Sequence, residues 1–285
     1  AYFYLARIWG TIPSAEKNDF GKLLNNEEAV TLAAGFATQA KALLPWLLIN
    51  DDGIESLSLT NIRFNRTAIT SLLAHEELWL GRAQNAYDLL TNTFTAATAD
   101  SVSTFGLSLG EDRRTEIPEY PLAADVVSIS LTRLNAIYPT GDARRAAKFN
   151  INTDANRATF VDRNLDMLEL LPVSEVDLLF AEAAFRSGKL DEAKTHLIEA
   201  ATGATEDYAT LTEATFADAL LIERRRILIG TGQRVFDLIR FGKVPTYITQ
   251  FTEADVQNGA AWWPLSASSM KGNSLSQNSY WLSKN

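Results

Sequence analysis

The sequence predicts a mostly α-helical fold in which helical hairpins pack against an irregular, loop-rich region. Three observations lead to this prediction. Apolar residues recur at three-to-four spacing through most of the chain. One hairpin pattern occurs twice at a constant offset, and the stretch between the copies is rich in turn formers with little helical periodicity. A length of 285 residues with 46% hydrophobic content suits one large domain or two small ones, and we predict one domain over residues 1–285.

The first two elements are predicted from apolar stripes. Residues 2–8 form a helical stripe with no capping Ser, Thr, Asp or Asn before it, so we expect the chain to begin inside a helix. We also expect an upstream segment to be missing, which would explain the absence of a signal peptide or a lipid-attachment cysteine. Residues 27–48 are strongly helical, and their stripe from Ala29 to Leu44, with Phe36 and Leu43 in it, predicts a core helix before Pro45.

A helical hairpin is predicted twice, near residues 64–94 and 175–202. Alignment of Gly81 with Gly188 also superposes four pairs of apolar residues: Ala74 with Ala181, Leu78 with Phe185, Ala86 with Ala193, and Leu90 with Leu197. Small residues at a helix crossing and a glycine at the turn are typical of tetratricopeptide-type hairpins. Because a free solenoid needs about three repeats, we expect these two to pack against the rest of the chain.

The irregular region spans residues 100–165. Residues 100–120 are rich in Ser, Gly and charged residues and predict a loop. Residues 148–151 and 158–161 predict short strands around a polar turn, so a small β-hairpin is expected. Ligand-binding residues are often carried on loops that a rigid scaffold holds.

The segment 223–243 predicts two helices joined at a glycine break. Apolar residues repeat at three-to-four spacing on both sides of Gly230 and Gly232, and Gly242 stands where a left-handed cap would end the second helix.

Charges are dense in this apolar segment. Glu223 lies three residues before Arg226, and Asp237 lies three residues from both Arg234 and Arg240, so ion pairs are expected along each helix. We interpret these charges as structural groups that fix how the two helices pack.

This segment closely resembles the C-terminal signature of the SusD/RagB family. The matching residues are Glu223, Arg224, Arg225, Gly232, Arg234, Asp237, Leu238, Arg240 and Gly242. Weaker matches extend the resemblance over nearly the whole chain: Gly10 and Pro13; Ala40, Leu43, Leu44 and Pro45; Asp142 and Arg144; Glu175, Leu178, Ala181, Glu182 and Ala183; Asn273, Leu275, Gln277 and Asn278.

The resemblance implies an outward-facing nutrient-binding lipoprotein of the outer membrane, held by a lipid anchor that is not present in this chain. It implies a glycan ligand, either an oligosaccharide or a polysaccharide, and a SusC-like TonB-dependent transporter as the protein partner. The implied ligand surface draws on the irregular region, where aromatic rings stack on sugars and polar groups meet hydroxyls. The candidates are the aromatic residues Phe105, Tyr120 and Tyr138 and the polar residues Asp112, Arg113 and Arg114.

Composition argues against several other classes of protein. There is no cysteine, and His75 and His196 are the only histidines, so thiol nucleophiles and common zinc motifs are excluded. A net charge of -9 without a basic cluster argues against nucleic acid. We therefore predict a binding protein that is not an enzyme and has no cofactor or metal.

Two other ligand classes stay open. A peptide-binding member of the same family would use the same kinds of loop residues. A soluble tetratricopeptide-type scaffold would instead bind protein tails along the concave faces of the repeat helices. A hydrolase is a further alternative, and the release of reducing sugars from a bound polysaccharide would reveal it.

Overall fold

The computed structural model describes residues 1–19, 21–95, 102–103, 105–108, 128–161, 167–272 and 274–284. Over these residues the chain is mostly helical with a few short strands, which confirms the predicted fold class. No helix in these ranges combines the length and the apolar character that crossing a bilayer requires.

The N-terminal part contains helix α1 (Tyr2–Trp9), a strand pair β1 (Ile12–Pro13) and β2 (Leu23–Leu24), and helix α2 (Asn26–Leu43). A capping box formed by Asn25 and Glu28 begins α2. The helix ends at Leu43, before the predicted boundary at residue 48, because Leu44 precedes a proline and is extended.

The predicted apolar stripe of α2 is wrong in part. Phe36 and Leu43 are 43% and 84% exposed, and the buried face is instead made of small residues. These are Ala29, Val30, Ala33, Ala34 and Ala37. The buried face of α2 therefore consists mainly of alanine, and it packs against larger apolar residues of its neighbours such as Ile69 and Leu73.

Two helical hairpins form the centre of the molecule. After the strand pair β3 (Leu48–Ile49) and β4 (Glu55–Ser56) and helix α3 (Leu57–Asn61), the first hairpin consists of α4 (Arg66–Trp79) and α5 (Ala83–Phe94). The second consists of α8 (Ser174–Arg186) and α9 (Leu190–Ala200). Gly81 and Gly188 lie at the two turns with φ of 73° and 77°, a conformation that glycine adopts without steric cost.

Seven of the eight aligned apolar residues of the repeat are buried, and Phe185 is partly buried. Ala74, Leu78, Ala86 and Leu90 pack against Leu179 and Ala183 of α8. Ala181, Ala193 and Leu197 pack toward the C-terminal helix α10 (Glu213–Ile227) through Phe216 and Leu220. The hairpins therefore bury their small-residue faces against each other and against the rest of the chain, as predicted.

Short strands and two helices occupy the described parts of the irregular region. Strand β5 (Phe105–Ser108) pairs antiparallel with β9 (Met167–Leu171). The predicted β-hairpin is confirmed as β7 (Phe149–Asn152) and β8 (Arg157–Phe160), and β6 (Ser128–Ser130) joins it in the order β6-β8-β7. Helices α6 (Leu131–Ile137) and α7 (Ala143–Lys148) lie between β6 and β7.

The C-terminal part returns to the start of the chain. Helices α10 and α11 (Arg234–Arg240) are the two predicted signature helices. After α11, Gly242 has a φ of 65°, and the Lys243 amide donates to the Leu238 carbonyl as in a Schellman cap. Four short helices follow: α12 (Val244–Tyr247), α13 (Glu253–Gln257), α14 (Ala267–Met270) and α15 (Ser279–Leu282). The Trp263 amide donates to the Ile8 carbonyl at 2.8 Å, which joins the tail to α1.

Candidate functional site

A buried cluster of charges joins the signature helices to the second hairpin. Arg224 lies 2.7 Å from Glu175 and 2.9 Å from Asp237, counted between guanidinium nitrogens and carboxylate oxygens. Arg240 lies 2.8 Å from Glu182 and 2.9 Å from Asp237. All five side chains are at most 2% exposed. The predicted pairing of Asp237 with Arg240 is therefore confirmed, within a larger network.

Two carboxylates of this cluster, those of Glu175 and Glu182, are held in their charged form. Burial alone would raise the pKa of Glu175, but His75 and Arg224 hold it well below its usual range. Burial is likewise outweighed at Glu182, whose pKa Arg240 lowers to about 2. Burial lowers the pKa of His75, which lies 3.0 Å from Glu175. Such groups stabilise the packing of helices and are poorly matched to proton transfer near neutral pH.

A second cluster ties the irregular region to α10. Glu223 pairs with Arg144 and lies 2.5 Å from Arg226, and Arg144 lies 2.6 Å from Asp142. The hydroxyl of Tyr138 donates to the Arg226 carbonyl at 2.6 Å. The segment around residues 138–144 is therefore fixed to the first signature helix.

The remaining signature residues lie outside these two clusters. Arg234 donates to the Leu221 carbonyl at 2.9 Å and lies 4.7 Å over the ring of Tyr247, so it does not form the ion pair with Asp237 that its spacing predicted. Arg225 is part-exposed on α10. Gly232 and Gly242 both have positive φ, at 80° and 65°.

Two of the predicted ligand residues are core residues. Phe105 is 4% exposed, with its ring centroid 4.3 Å from that of Phe64. Tyr138 is 1% exposed, and burial raises the pKa of its hydroxyl. Neither ring has a free face on which a sugar could stack, so the prediction is wrong for these two. The structure shows that they anchor the irregular region by packing.

The other four predicted ligand residues, Asp112, Arg113, Arg114 and Tyr120, lie outside the described residues. Their assignment therefore stays a prediction.

An open groove of about 440 Å³ lies between the two hairpins. Tyr87 and Phe94 of α5 face Phe180 of α8 and His196 of α9 across it, with Asp177 and Glu192 among the lining residues. Val102, within the irregular region, and Val173, just after β9, also line it. The groove was not predicted from the sequence because it forms only when two hairpins that are distant in sequence pack together. Aromatic residues at outward positions of both repeats are a signal that could have indicated it.

One group of side chains has the composition of a metal site. Within the described ranges, Asp177, His196 and Glu199 place one ligand atom each within 4.8 Å of one another. They lie on the second hairpin at the edge of the groove.

Comparisons with known proteins agree on the architecture. Residues 147–281 match the family model described as the SusD family. No curated protein matches the sequence. A SusD superfamily protein of Bacteroides thetaiotaomicron is 20% identical with a TM-score of 0.76, over 98% of this chain and 74% of that one.

Two further solved structures are of proteins described as binding carbohydrate. A SusD-like carbohydrate binding protein of Bacteroides vulgatus is 16% identical with a TM-score of 0.64, over 84% of this chain and 60% of that one. A laminarin binding SusD-like protein is 15% identical with a TM-score of 0.61, over 97% of this chain and 75% of that one. At these identities the likeness establishes a shared fold.

Proposed function

The chain belongs to the SusD family, and from this membership we propose that it is a glycan-binding protein and not an enzyme. The observation that carries the proposal is the family match over residues 147–281, together with a fold that extends over 98% of the chain. The carbohydrate-binding and laminarin-binding proteins that share this fold support a glycan as the ligand class.

The proposed ligand surface is the irregular region, with Tyr120 as the stacking ring and Asp112, Arg113 and Arg114 as groups that meet hydroxyls. Its anchors support this placement, because strand β5 and the residues around Tyr138 attach both sides of the segment to the helical body. A ligand surface on a loop needs such support to keep its geometry.

In the cell, the protein would act at the outer-membrane surface as a lid on a SusC-like TonB-dependent transporter. It would capture oligosaccharide and pass it into the barrel. Purification of the tagged protein from its native membrane should bring a TonB-dependent barrel with it in stoichiometric amount. Recovery of the protein alone, under conditions that preserve other membrane complexes, would contradict the partnership.

Native affinity electrophoresis tests the glycan proposal directly. The chain is run through gels that contain one soluble polysaccharide each, with an inert protein as the mobility control. We expect retardation by one glycan, and loss of that retardation in Tyr120→Ala. Phe36→Ala is the matched control, because Phe36 is a part-exposed aromatic residue on α2, outside the irregular region.

A peptide ligand is the second candidate function, and the groove between the hairpins favours it. Extended peptides can lie along the concave faces of helical repeats, and this groove has aromatic walls with carboxylates among its lining residues. Uniform mobility in every glycan gel, together with binding to a peptide library that Phe94→Ala abolishes, would support this function over the first.

A further inference from the structure

We infer that Asp177, His196 and Glu199 form a binding site for a divalent transition-metal ion, with Zn²⁺ as the best fit. The site is separate from the proposed glycan surface and does not depend on it. Asp177 lies in the first turn of α8, while His196 and Glu199 lie three residues apart on one face of α9. The turn at Gly188 holds the two helices side by side.

The spacing of the ligand atoms fits a coordination shell. His196 Nδ1 lies 3.2 Å from Asp177 Oδ1 and 3.3 Å from Glu199 Oε2. A metal ion with bonds of about 2.0–2.2 Å to nitrogen and oxygen places neighbouring ligand atoms roughly 2.9–3.5 Å apart. Both measured distances fall in this range, so an ion could sit between the three atoms with little movement of the side chains.

The charges of the three groups also favour a bound cation. Two carboxylates point at a single nitrogen, which can carry only one hydrogen and so can donate to only one of them at a time. Within the part of the chain that the structure describes, neither Asp177 nor Glu199 has a lysine or arginine partner within 4.0 Å. The nearby lysines are engaged elsewhere: Lys189 lies 3.7 Å from Glu192, and Lys194 lies 3.8 Å from Asp191.

The imidazole is fixed in the required orientation. The ring of His196 stacks on that of Phe180 with centroids 4.3 Å apart and an angle of 14° between the planes. Phe180 is itself 8% exposed, so it forms a firm support. A preset imidazole costs little conformational entropy when the ion binds.

The ligand set selects the type of ion. One imidazole nitrogen with two carboxylate oxygens suits Zn²⁺ and similar transition metals, whereas Mg²⁺ and Ca²⁺ prefer oxygen ligands alone. The side chains of His196, Asp177 and Glu199 are 25%, 38% and 55% exposed. An ion at this position would therefore keep water on its open side, and it would bridge α8 to α9 at the edge of the groove.

Calorimetric titration of the chelator-treated chain with ZnCl₂ tests the site, with any histidine tag removed. We expect one Zn²⁺ per chain, no comparable heat with MgCl₂, and affinity at least tenfold weaker in His196→Ala, Asp177→Asn and Glu199→Gln, since changes outside the coordination shell alone cost about 10–100-fold. Asp191→Asn is the matched control, because Asp191 is a fully exposed carboxylate on the same helix, and we expect it to bind as the wild type does.

The histidine content gives a second and independent measurement. His75 and His196 are the only imidazoles, and His75 is 2% exposed. In NMR spectra of the imidazole nitrogens, Zn²⁺ should therefore shift the resonances of His196 and leave those of His75 unchanged. The inference is overturned if folded wild-type chain binds no Zn²⁺, if His196→Ala binds Zn²⁺ equally well, or if neither imidazole shifts.

Discussion

At the scale of residues, buried carboxylates alternate with guanidinium groups along one connected path that starts at the imidazole of His75. The path links two helices of the hairpins to both signature helices, and its members in order are His75, Glu175, Arg224, Asp237, Arg240 and Glu182. Each member between the two ends contacts both of its neighbours in this order, and Glu175 is the one whose two neighbours are an imidazole and a guanidinium. Because the desolvation penalty of a buried ion pair can exceed its Coulombic gain, this arrangement specifies the packing of helices more than it adds stability.

Removal of one member of this path should be costly. We expect Arg224→Ala to lower the free energy of unfolding by about 3–5 kcal/mol, because it removes the guanidinium that pairs with buried Glu175 and one of the two that pair with Asp237. Arg225→Ala is the matched control, because Arg225 is the next residue on α10 and its side chain is part-exposed. Its effect on the free energy of unfolding should stay within about 1 kcal/mol. Urea unfolding followed by circular dichroism measures both. Equal effects of the two substitutions would show that the network is not structural.

Glu76 predicts a dependence of stability on pH. It is 1% exposed, and burial raises its pKa from 4.5 to about 8. The folded chain therefore favours the neutral carboxyl, and folding takes up a proton in the interval between the two values. This contribution is fully present below pH 4.5 and is lost as the pH rises through about 8.

Urea unfolding at pH 5.5 and at pH 8.5 tests the role of Glu76. Glu76→Gln should lose less stability than the wild type between these two values, because glutamine keeps the shape of the side chain and has no proton to lose. Glu27→Gln is the control, as Glu27 is an exposed carboxylate in the first turn of α2 and should leave the dependence of the wild type intact. An unchanged dependence in Glu76→Gln would contradict the assignment.

At the scale of elements, two glycines with a similar positive φ differ in their surroundings. Gly10 and Gly188 have φ of 75° and 77°. A Cβ at Gly188 would meet nothing within 4 Å, whereas one at Gly10 would lie 2.7 Å from the ring of Trp262. We expect Gly188→Ala to cost about 1–2 kcal/mol from backbone strain alone.

Gly10→Ala should cost more than Gly188→Ala, by about 1–3 kcal/mol, because the ring of Trp262 must also move. Thermal unfolding of the two variants in parallel measures the difference, and the near-ultraviolet circular dichroism spectrum should change only in Gly10→Ala. Equal melting temperatures would mean that the tail moves away from α1 without cost.

The elements that the sequence predicts correctly are those with local signals. The hairpins follow from alanine and glycine positions, the strands β7 and β8 from short strand-like runs around a polar turn, and the signature helices from periodicity and caps. The pairing of β5 with β9 has no local signal, because its partners are far apart in the sequence. Likewise, the burial of α2 on its alanine face depends on which neighbours pack there.

The candidate sites were harder to predict for the same reason. Phe105 and Tyr138 are aromatic residues in a segment without helical periodicity, and such residues occur both as ligand platforms and as core anchors. Their role as anchors becomes visible only in the structure, where Phe105 packs on Phe64 and the Tyr138 hydroxyl donates to the Arg226 carbonyl. The convergence of Asp177 with His196 is similarly invisible until the second hairpin folds.

At the scale of the whole molecule, the helical body supports the two surfaces that are proposed for ligands. One is the irregular region, which the body holds through β9 and through the contact of Tyr138 with α10. The other is the groove between the hairpins. The glycan proposal uses the first and the peptide alternative uses the second, so the location of bound ligand separates the two functions without knowledge of the affinity.

Hydrogen-deuterium exchange with and without ligand locates the binding surface. With the glycan that retards the chain in gels, we expect slower exchange in residues 100–165 and unchanged exchange in α5, α8 and α9, because stacking and hydrogen bonding to a sugar restrict the loop that carries them. Addition of Zn²⁺ provides an internal reference, since it should slow exchange around α8 and α9 alone. Slower exchange along the groove on addition of glycan, with no change in residues 100–165, would instead place the ligand on the helical repeats and would refute the proposed surface.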